Sequence, residues 1–174
     1  LCINKLLNYL NNCNNELFLF HSCAHNPTGV DLNKNEWEDI CDIVKKNNNL
    51  VFFDNAYQGF ATGDYNEDAF APRFFLNNNV EFVLSHSFSK NFGLYGERCG
   101  LISFFLDNRG DGQDKIQKRV GHYIRTSYSN PPLNGSNIVK TILSDEKLFD
   151  LWKKDSQIMS GRIKKMRKEI GLKY

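Results

Sequence analysis

The chain has 174 residues, of which 41% are hydrophobic and 24% are charged, and its formal net charge at neutral pH is +2. This length and composition are typical of one globular domain or part of one. The basic residues are scattered, which gives no indication of a nucleic-acid or anionic membrane partner, and no apolar run reaches the roughly 20 residues of a membrane span.

The first half of the chain alternates strand and helix patterns after a short N-terminal helix and a polar loop. The apolar run at 17–20 predicts a strand buried on both faces. Asn33 as N-cap, Glu36 three residues later and apolar residues at helical spacing predict an amphipathic helix over 34–47. Three more elements are predicted before residue 90: a strand at 50–53, a helix at about 66–77 and a strand at 82–84.

The second half continues with a strand at 99–106 and helices at about 112–125 and 133–143. A long helix begins near Asp145 and carries apolar residues at a spacing that keeps them in one stripe. Strands that alternate with helices in this way indicate parallel pairing. We therefore predict an α/β fold, a three-layer α/β/α sandwich with a mostly parallel sheet.

Polar side chains follow three of these strands. Asn26, Asp54 and Lys90 each lie within a few residues of a predicted strand end. Because ligands in open α/β sheets bind outside the carboxyl ends of parallel strands, these side chains are expected to converge at one edge.

Lys90 suggests the chemistry of this edge. A lysine at the end of a buried strand is placed to react as an amine and form a Schiff base. Ser87, Ser89 and Arg98 supply hydroxyls and a guanidinium fork that suit a phosphate. A cofactor that needs both an amine and a phosphate cradle is pyridoxal 5'-phosphate.

Four motifs resemble the aspartate aminotransferases, a family of fold type I pyridoxal phosphate enzymes. They occur in order, within a match from about Phe20 to Pro132: His25-Asn26-Pro27-Thr28-Gly29, Phe53-Asp54-Asn55-Ala56-Tyr57-Gln58-Gly59, Ser87-Phe88-Ser89-Lys90 and Ser129-Asn130-Pro131-Pro132. The sequence departs from the family pattern at Asn55 and Gly96, where Ser and Asn are more common. Neither departure affects an expected cofactor contact.

The resemblance implies a role for each site residue. Lys90 would carry the cofactor and move the substrate Cα proton, and Asp54 would keep the pyridine nitrogen protonated. Tyr57 and Asn26 would donate to the phenolate oxygen, and Asn26 would also contact substrate. Three further residues, Arg125, Ser129 and Asn130, would lie at the subunit boundary of a homodimer with shared active sites, where Arg125 binds the distal carboxylate of aspartate or glutamate.

The implied activity is amino-group exchange between L-aspartate and 2-oxoglutarate. Residues 1–144 would be part of the large pyridoxal phosphate-binding domain, and 145–174 a long helix leading toward an absent C-terminal small domain. Because family members are more than twice as long, we expect a fragment that lacks the α-carboxylate arginine and the aromatic residue that stacks on the ring.

Three alternatives remain open at this stage. The parent could be an aromatic or broad-specificity aminotransferase, or the chain by itself could be an inactive fragment. A zinc site at His21, Cys23 and His25 is conceivable because these residues alternate. The odd number of cysteines favours a reducing compartment, so we expect a cytoplasmic protein, although a mitochondrial location stays open.

Overall fold

The computed structural model describes residues 2–106 and 112–171. Its strands form one four-stranded sheet in the order β1-β2-β3-β4, with β1, β2 and β3 parallel and β4 antiparallel to β3. This arrangement confirms the predicted α/β class and the mostly parallel sheet. The elements are β1 (Leu17–His21), β2 (Leu50–Asn55), β3 (Phe82–Ser87), β4 (Gly100–Phe105), α1 (Ile3–Asn11), α2 (Lys34–Lys46), α3 (Phe70–Asn77), α4 (Gly112–Ser127), α5 (Asn134–Ser144) and α6 (Glu146–Glu169).

Helix α2 confirms the predicted helix over 34–47 and anchors the core. The Asn33 side chain accepts from the Glu36 backbone N–H and the Glu36 carboxylate accepts from the Asn33 N–H, which completes a capping box. Trp37 on the inner face of α2 packs edge-on against Phe53 of β2 and Phe75 of α3. Each of these buried aromatic side chains contributes about 2–3 kcal/mol through burial, so this cluster joins the sheet to its helices.

Helix α3 begins at Phe70, so the prediction of a helix from about residue 66 was wrong at its start. The reason is Asp68, which is only 3% exposed. Its carboxylate accepts hydrogen bonds from the backbone N–H groups of Gly59 (2.8 Å), Ala61 (3.1 Å) and Thr62 (2.9 Å), and from the Thr62 hydroxyl (2.6 Å). These bonds hold residues 65–69 in turns rather than in the first turns of a helix.

Strand β1 is an outer strand of the described sheet, and the prediction that both of its faces are buried was wrong. Phe18 and Phe20 pack against the core, but Leu17 and Leu19 are 60% and 64% exposed. Successive side chains of a strand point to opposite faces, so the core covers only one face of β1. Continuous apolar sequence therefore does not require burial of both faces.

Helix α6 begins as predicted after Asp145, whose side chain accepts from the Leu148 N–H. Its apolar stripe is largely exposed, as at Ile158, whereas Ser156 and Ser160 are buried. The helix thus packs on the rest of the chain through these two serines and through the rings of Phe149 and Trp152, both of which contact Tyr65. No helix in the described ranges is long and apolar enough to cross a membrane.

Candidate active site

The candidate site lies where the three parallel strands end. Residue pairing places His21 of β1 beside Asp54 of β2, and Asp54 beside Ser85 of β3. Asp54 is the penultimate residue of β2 rather than a loop residue, because β2 continues to Asn55. The shared strand direction therefore brings the segments that contain Asn26, Asp54 and Lys90 to the same edge of the sheet.

Asp54 and Asn26 are connected through His21. The imidazole Nδ1 of His21 accepts the backbone N–H of Asn26 at 3.0 Å, and its Nε2 lies 3.9 Å from Asp54 Oδ2. In the neutral ring this leaves the proton on Nε2, which faces the carboxylate. Asp54 keeps a side chain that is 42% exposed. The carboxylate thus has His21 on one side, and its exposed part can contact a ligand.

Lys90 lies in the loop that follows β3, half-buried between two tyrosines. Its Nζ is 5.6 Å from the ring centroid of Tyr57 and 5.5 Å from that of Tyr95. Among the residues that the structure describes, no carboxylate lies within ion-pair distance of this ammonium. The two aromatic rings flank Nζ and restrict its direction, and no ion pair with a described residue holds it away from a ligand. Sequence reasoning missed Tyr95, although an aromatic residue five positions after Lys90 in the same loop was a usable signal.

A shallow depression of about 380 Å³ lies beside this loop and is lined in part by Ser87, Ser89 and Arg98. The Ser89 backbone N–H donates to Ser87 Oγ at 3.2 Å, which fixes the hydroxyl oxygen next to the depression. Arg98 is exposed and donates from Nη1 to the Tyr95 carbonyl oxygen at 3.2 Å, which leaves most of its donors facing outward. Hydroxyl and guanidinium donors of this kind fit a phosphate.

His86 contributes to the same depression from β3. Its Nε2 is buried and has no hydrogen-bond partner among residues 2–106 and 112–171, and its ring stacks on Phe88 with centroids 4.8 Å apart. Burial lowers the pKa of His86 below its ordinary value, because the charged ring would lose its hydration. The imidazole is therefore neutral at neutral pH.

Helix α5 supports the segment that carries Arg98. Gly135 lies so close to this segment that an added Cβ would be 2.8 Å from Cys99 Cβ and 3.0 Å from Glu97 Cβ. The Asn134 side chain donates to the Glu97 carboxylate at 2.9 Å. These two contacts fix the residues on both sides of Arg98, so α5 determines the position of the Arg98 backbone from which the guanidinium extends.

Asn55, one of the departures from the family pattern, has a structural role behind the site. It is 1% exposed, and its side chain accepts from Cys23 Sγ at 3.8 Å and donates to Gln58 Oε1 at 2.7 Å. These bonds link β2 to the residue after Tyr57. At the other departure, Gly96, an added Cβ would meet no heavy atom within 4 Å, so a larger residue would also fit there.

The structure gives no support to the zinc alternative at His21, Cys23 and His25. In the described part of the chain, no three His, Cys, Asp or Glu side chains are grouped to hold a metal ion. Burial raises the pKa of the Cys23 thiol well above its ordinary value, so the metal-binding thiolate is disfavoured. His25 Nδ1 is already engaged with the Thr28 hydroxyl at 2.7 Å.

Arg125, Ser129 and Asn130 lie apart from this cluster, at the C-terminal end of α4 and just beyond it. All three are exposed, and the Arg125 guanidinium donates to the Ser129 hydroxyl. Within residues 2–106 and 112–171, no hydrogen bond or ion pair connects them to Lys90 or Asp54. These three side chains therefore lie on the solvent-exposed surface of the chain, away from the strand-end site.

Comparison with known proteins gives a consistent result. The model of the aminotransferase class I and II family matches residues 1–172. The cytoplasmic aspartate aminotransferase of Dictyostelium discoideum is 45% identical over 157 residues, which are 90% of this chain and 36% of that protein. The solved mitochondrial aspartate aminotransferase of Trypanosoma brucei superposes with a TM-score of 0.92 at 42% identity, over 97% of this chain and 44% of that one.

A second similar structure is the aromatic-amino-acid aminotransferase of Burkholderia pseudomallei, described as covalently bound to pyridoxal phosphate. It superposes with a TM-score of 0.91 at 38% identity, over 96% of this chain and 42% of that one. The chain thus spans little more than a third of the length of the curated relative from Dictyostelium. Given the match to the family model across nearly all of its length, the chain belongs to the aminotransferase class I and II family.

Proposed function

We propose that the protein carrying this chain is a pyridoxal phosphate-dependent aspartate transaminase. It would exchange the amino group between L-aspartate and 2-oxoglutarate, giving oxaloacetate and L-glutamate. The observation that carries the proposal is the position of Lys90 between Tyr57 and Tyr95, in the loop whose neighbouring residues Ser89 and Arg98 line the depression. The similarity to cytoplasmic and mitochondrial aspartate aminotransferases supports the choice of substrate.

The residues around the strand ends fit the cofactor by their chemistry. Pyridoxal phosphate supplies an electrophilic aldehyde and a ring that delocalises negative charge. Lys90 would bind the aldehyde carbon and, once released by substrate, carry the proton at the substrate Cα. Asp54, with His21 behind it, would hold the proton on the pyridine nitrogen, and Tyr57 and Asn26 would donate to the ring's phenolic oxygen.

The phosphate would be held by Ser87, Ser89 and Arg98. A guanidinium donates two parallel hydrogen bonds to a phosphate, which orients the group as well as binding it. Because β3 and the loop after it carry both Lys90 and these donors, phosphate and aldehyde would be bound by one rigid segment.

We also propose a homodimer in which Arg125 reaches the active site of the other subunit. There it would bind the distal carboxylate of the substrate, with Ser129 and Asn130 at the subunit boundary. The exposure of all three residues supports this proposal, since a side chain used across a boundary must face away from its own subunit. In the same scheme residues 1–144 belong to the cofactor domain and α6 leads from it toward a small domain.

The test uses the full-length protein that contains this chain. It is mixed with pyridoxal phosphate, reduced with borohydride and mapped by mass spectrometry. We expect the reduced adduct on Lys90, and we expect Lys90→Ala to lose both the adduct and transamination. Lys34→Ala is the matched control, because Lys34 also lies over an aromatic ring, 5.2 Å from the Phe70 centroid, but is paired with Glu67. An adduct on another lysine, or turnover by Lys90→Ala, would refute the proposal.

A second candidate function is transamination of aromatic or several amino acids. The specific reason is the similarity to the Burkholderia aromatic-amino-acid aminotransferase and to a Leishmania mexicana structure described as a broad specificity aminotransferase. The ratio of kcat/KM on aspartate to that on tyrosine separates the candidates. A ratio well above about 10 favours the aspartate enzyme, and a ratio near 1 favours the broad one.

For the compartment we propose the cytoplasm. The similar proteins carry both cytoplasmic and mitochondrial names. All five cysteines are free thiols, as expected for a reducing compartment.

A further inference from the structure

Helix α6 contacts the site-bearing loops through four residues spaced four apart, Trp152, Ser156, Ser160 and Lys164, which we call the α6 seam. Residues at this spacing lie on one face of a helix. Three of them donate hydrogen bonds to loop carbonyls, and Ser156 is buried. Apart from Trp152 the seam consists of polar side chains, whereas most of the other apolar side chains of the helix are exposed.

Trp152 makes the contact nearest to the proposed catalytic lysine. Its indole N–H donates to the backbone carbonyl of Asn91 at 2.8 Å, and its ring stacks on Phe92 with centroids 4.9 Å apart and planes 18° apart. Asn91 is itself buried, and its side-chain amide donates to the Gln58 carbonyl at 3.3 Å. The two residues after Lys90 are thus fixed by Trp152, and Asn91 extends the connection to the residue after Tyr57.

The lower part of the seam holds the loop that follows Tyr57. Ser160 Oγ donates to the Phe60 carbonyl at 3.2 Å, and Lys164 donates from Nζ to the Thr62 carbonyl. A Cβ on Gly63 would lie 3.3 Å from Ser160 Oγ, so the loop and the helix approach closely there. A displacement of α6 would therefore move the Tyr57 loop and the Lys90 loop together.

We propose that Trp152 is a positioning residue for Lys90, a proposal that rests on the function proposed above. Lys90 has no carboxylate partner among the described residues, so the direction of its side chain depends on the two tyrosine rings and on the backbone that carries it. The Trp152 hydrogen bond and ring stacking restrain that backbone at the next two positions. Through the rest of the seam, α6 also fixes the loop that follows Tyr57, and so the position of the Tyr57 ring relative to the same amine.

The experiment compares Trp152→Phe with the unmodified full-length protein. Phenylalanine keeps an aromatic ring for stacking but removes the N–H that binds the Asn91 carbonyl. The rate of Lys90 adduct formation with pyridoxal phosphate is measured by timed borohydride reduction and mass spectrometry. We expect the rate to fall about fivefold, which corresponds to about 1 kcal/mol for one hydrogen bond. The visible circular dichroism of the bound cofactor should weaken as well, because it reports ring orientation.

Trp37→Phe is the matched control, since it makes the same chemical change in the core, where Trp37 packs against Phe53 and Phe75. It should lower the urea midpoint but leave the adduct rate and the visible dichroism unchanged. Equal rates and equal dichroism for Trp152→Phe and the unmodified protein would overturn the positioning role. Absence of the Lys90 adduct in the unmodified protein would instead overturn the proposed function.

Hydrogen exchange gives a test that needs no substitution and covers the case in which Trp152→Phe does not fold. Pyridoxal phosphate added to the unmodified protein should slow amide exchange in peptides that span 149–164 more than in peptides that span 34–46 of α2. A change confined to the Lys90 loop, or equal changes in α2 and α6, would contradict coupling through the seam.

Discussion

Replacing Gly135 by alanine tests whether α5 sets the position of Arg98. The added Cβ would lie 2.8 Å from Cys99 Cβ and 3.0 Å from Glu97 Cβ, whereas non-bonded carbon atoms prefer about 3.5–4.0 Å. The neighbouring atoms are the first carbons of their side chains, so rotation cannot move them away. The helix and the segment around Arg98 must therefore separate by about 0.5–1 Å.

The expected cost combines two opposing effects. Overpacking of a close contact costs about 1–3 kcal/mol, and alanine in place of glycine returns up to about 1 kcal/mol of helix propensity. We therefore expect Gly135→Ala to lower the free energy of unfolding by about 1–2 kcal/mol. Gly121→Ala in α4 is the control, because no atom of the described part of the chain lies within 4 Å of its added Cβ. That variant should be as stable as the parent or up to about 1 kcal/mol more stable.

Two assays check this reasoning. Urea unfolding gives the stability difference, and titration with pyridoxal phosphate and with pyridoxal separates the effect on the phosphate from that on the aldehyde. A displaced Arg98 should weaken binding of pyridoxal phosphate about 3- to 10-fold, equivalent to about 0.7–1.4 kcal/mol, and leave pyridoxal binding unchanged. Equal stability of the two glycine variants, or equal losses for both ligands, would refute the role assigned to α5.

Three further predictions concern single side chains. Asp68→Asn should lower the free energy of unfolding by about 2–4 kcal/mol, because its amide N–H would face the buried Gly59 N–H. Asp64→Asn in the same loop, where the carboxylate is exposed, should cost less than about 1 kcal/mol. Urea unfolding measures both costs, and equal costs would contradict the reasoning. The pKa of His86 in the folded chain lies below its unfolded value near 6.5, so the stability that the neutral ring contributes is present above that pH and is lost as pH falls. His86→Phe should therefore make the decline in urea midpoint between about pH 7 and 5 shallower. An unchanged slope would count against this. Arg125→Leu should reduce kcat/KM on aspartate at least about 30-fold more than on tyrosine, since it removes the charge-assisted bidentate pair proposed between Arg125 and the distal carboxylate. Parallel reductions would argue against a substrate contact.

Much of the fold could be predicted because its signals are local. The Asn33–Glu36 capping box and the helical spacing after it placed α2 to within a residue of its observed end. Strand positions followed from short apolar runs. The start of α3 could not be read in this way, because the carboxylate of Asp68 binds backbone groups six to nine residues earlier in the chain. No repeating pattern of residue types in the sequence signals a side-chain hydrogen bond of this kind.

The candidate site was predicted in part for a similar reason. Strand order brings Asp54 and the Lys90 loop to one edge, and the rule for parallel sheets was sufficient to expect this. The surroundings of Lys90 were not predictable, because Tyr95 lies in an irregular loop and Trp152 arrives from a helix 61 residues beyond its partner Asn91. Contacts between distant segments depend on tertiary packing, and the periodic patterns of a single sequence report only local secondary structure.

The exposed face and outer position of β1 have a consequence for the chain on its own. Leu17 and Leu19 present apolar side chains beside a row of backbone N–H and C=O groups that no further strand of the described sheet pairs. Sheets usually protect such an edge with lysine, proline or a bulge, and β1 contains neither residue type. Edge-to-edge pairing of two copies through β1 is therefore one expected route of aggregation when this segment is produced in isolation.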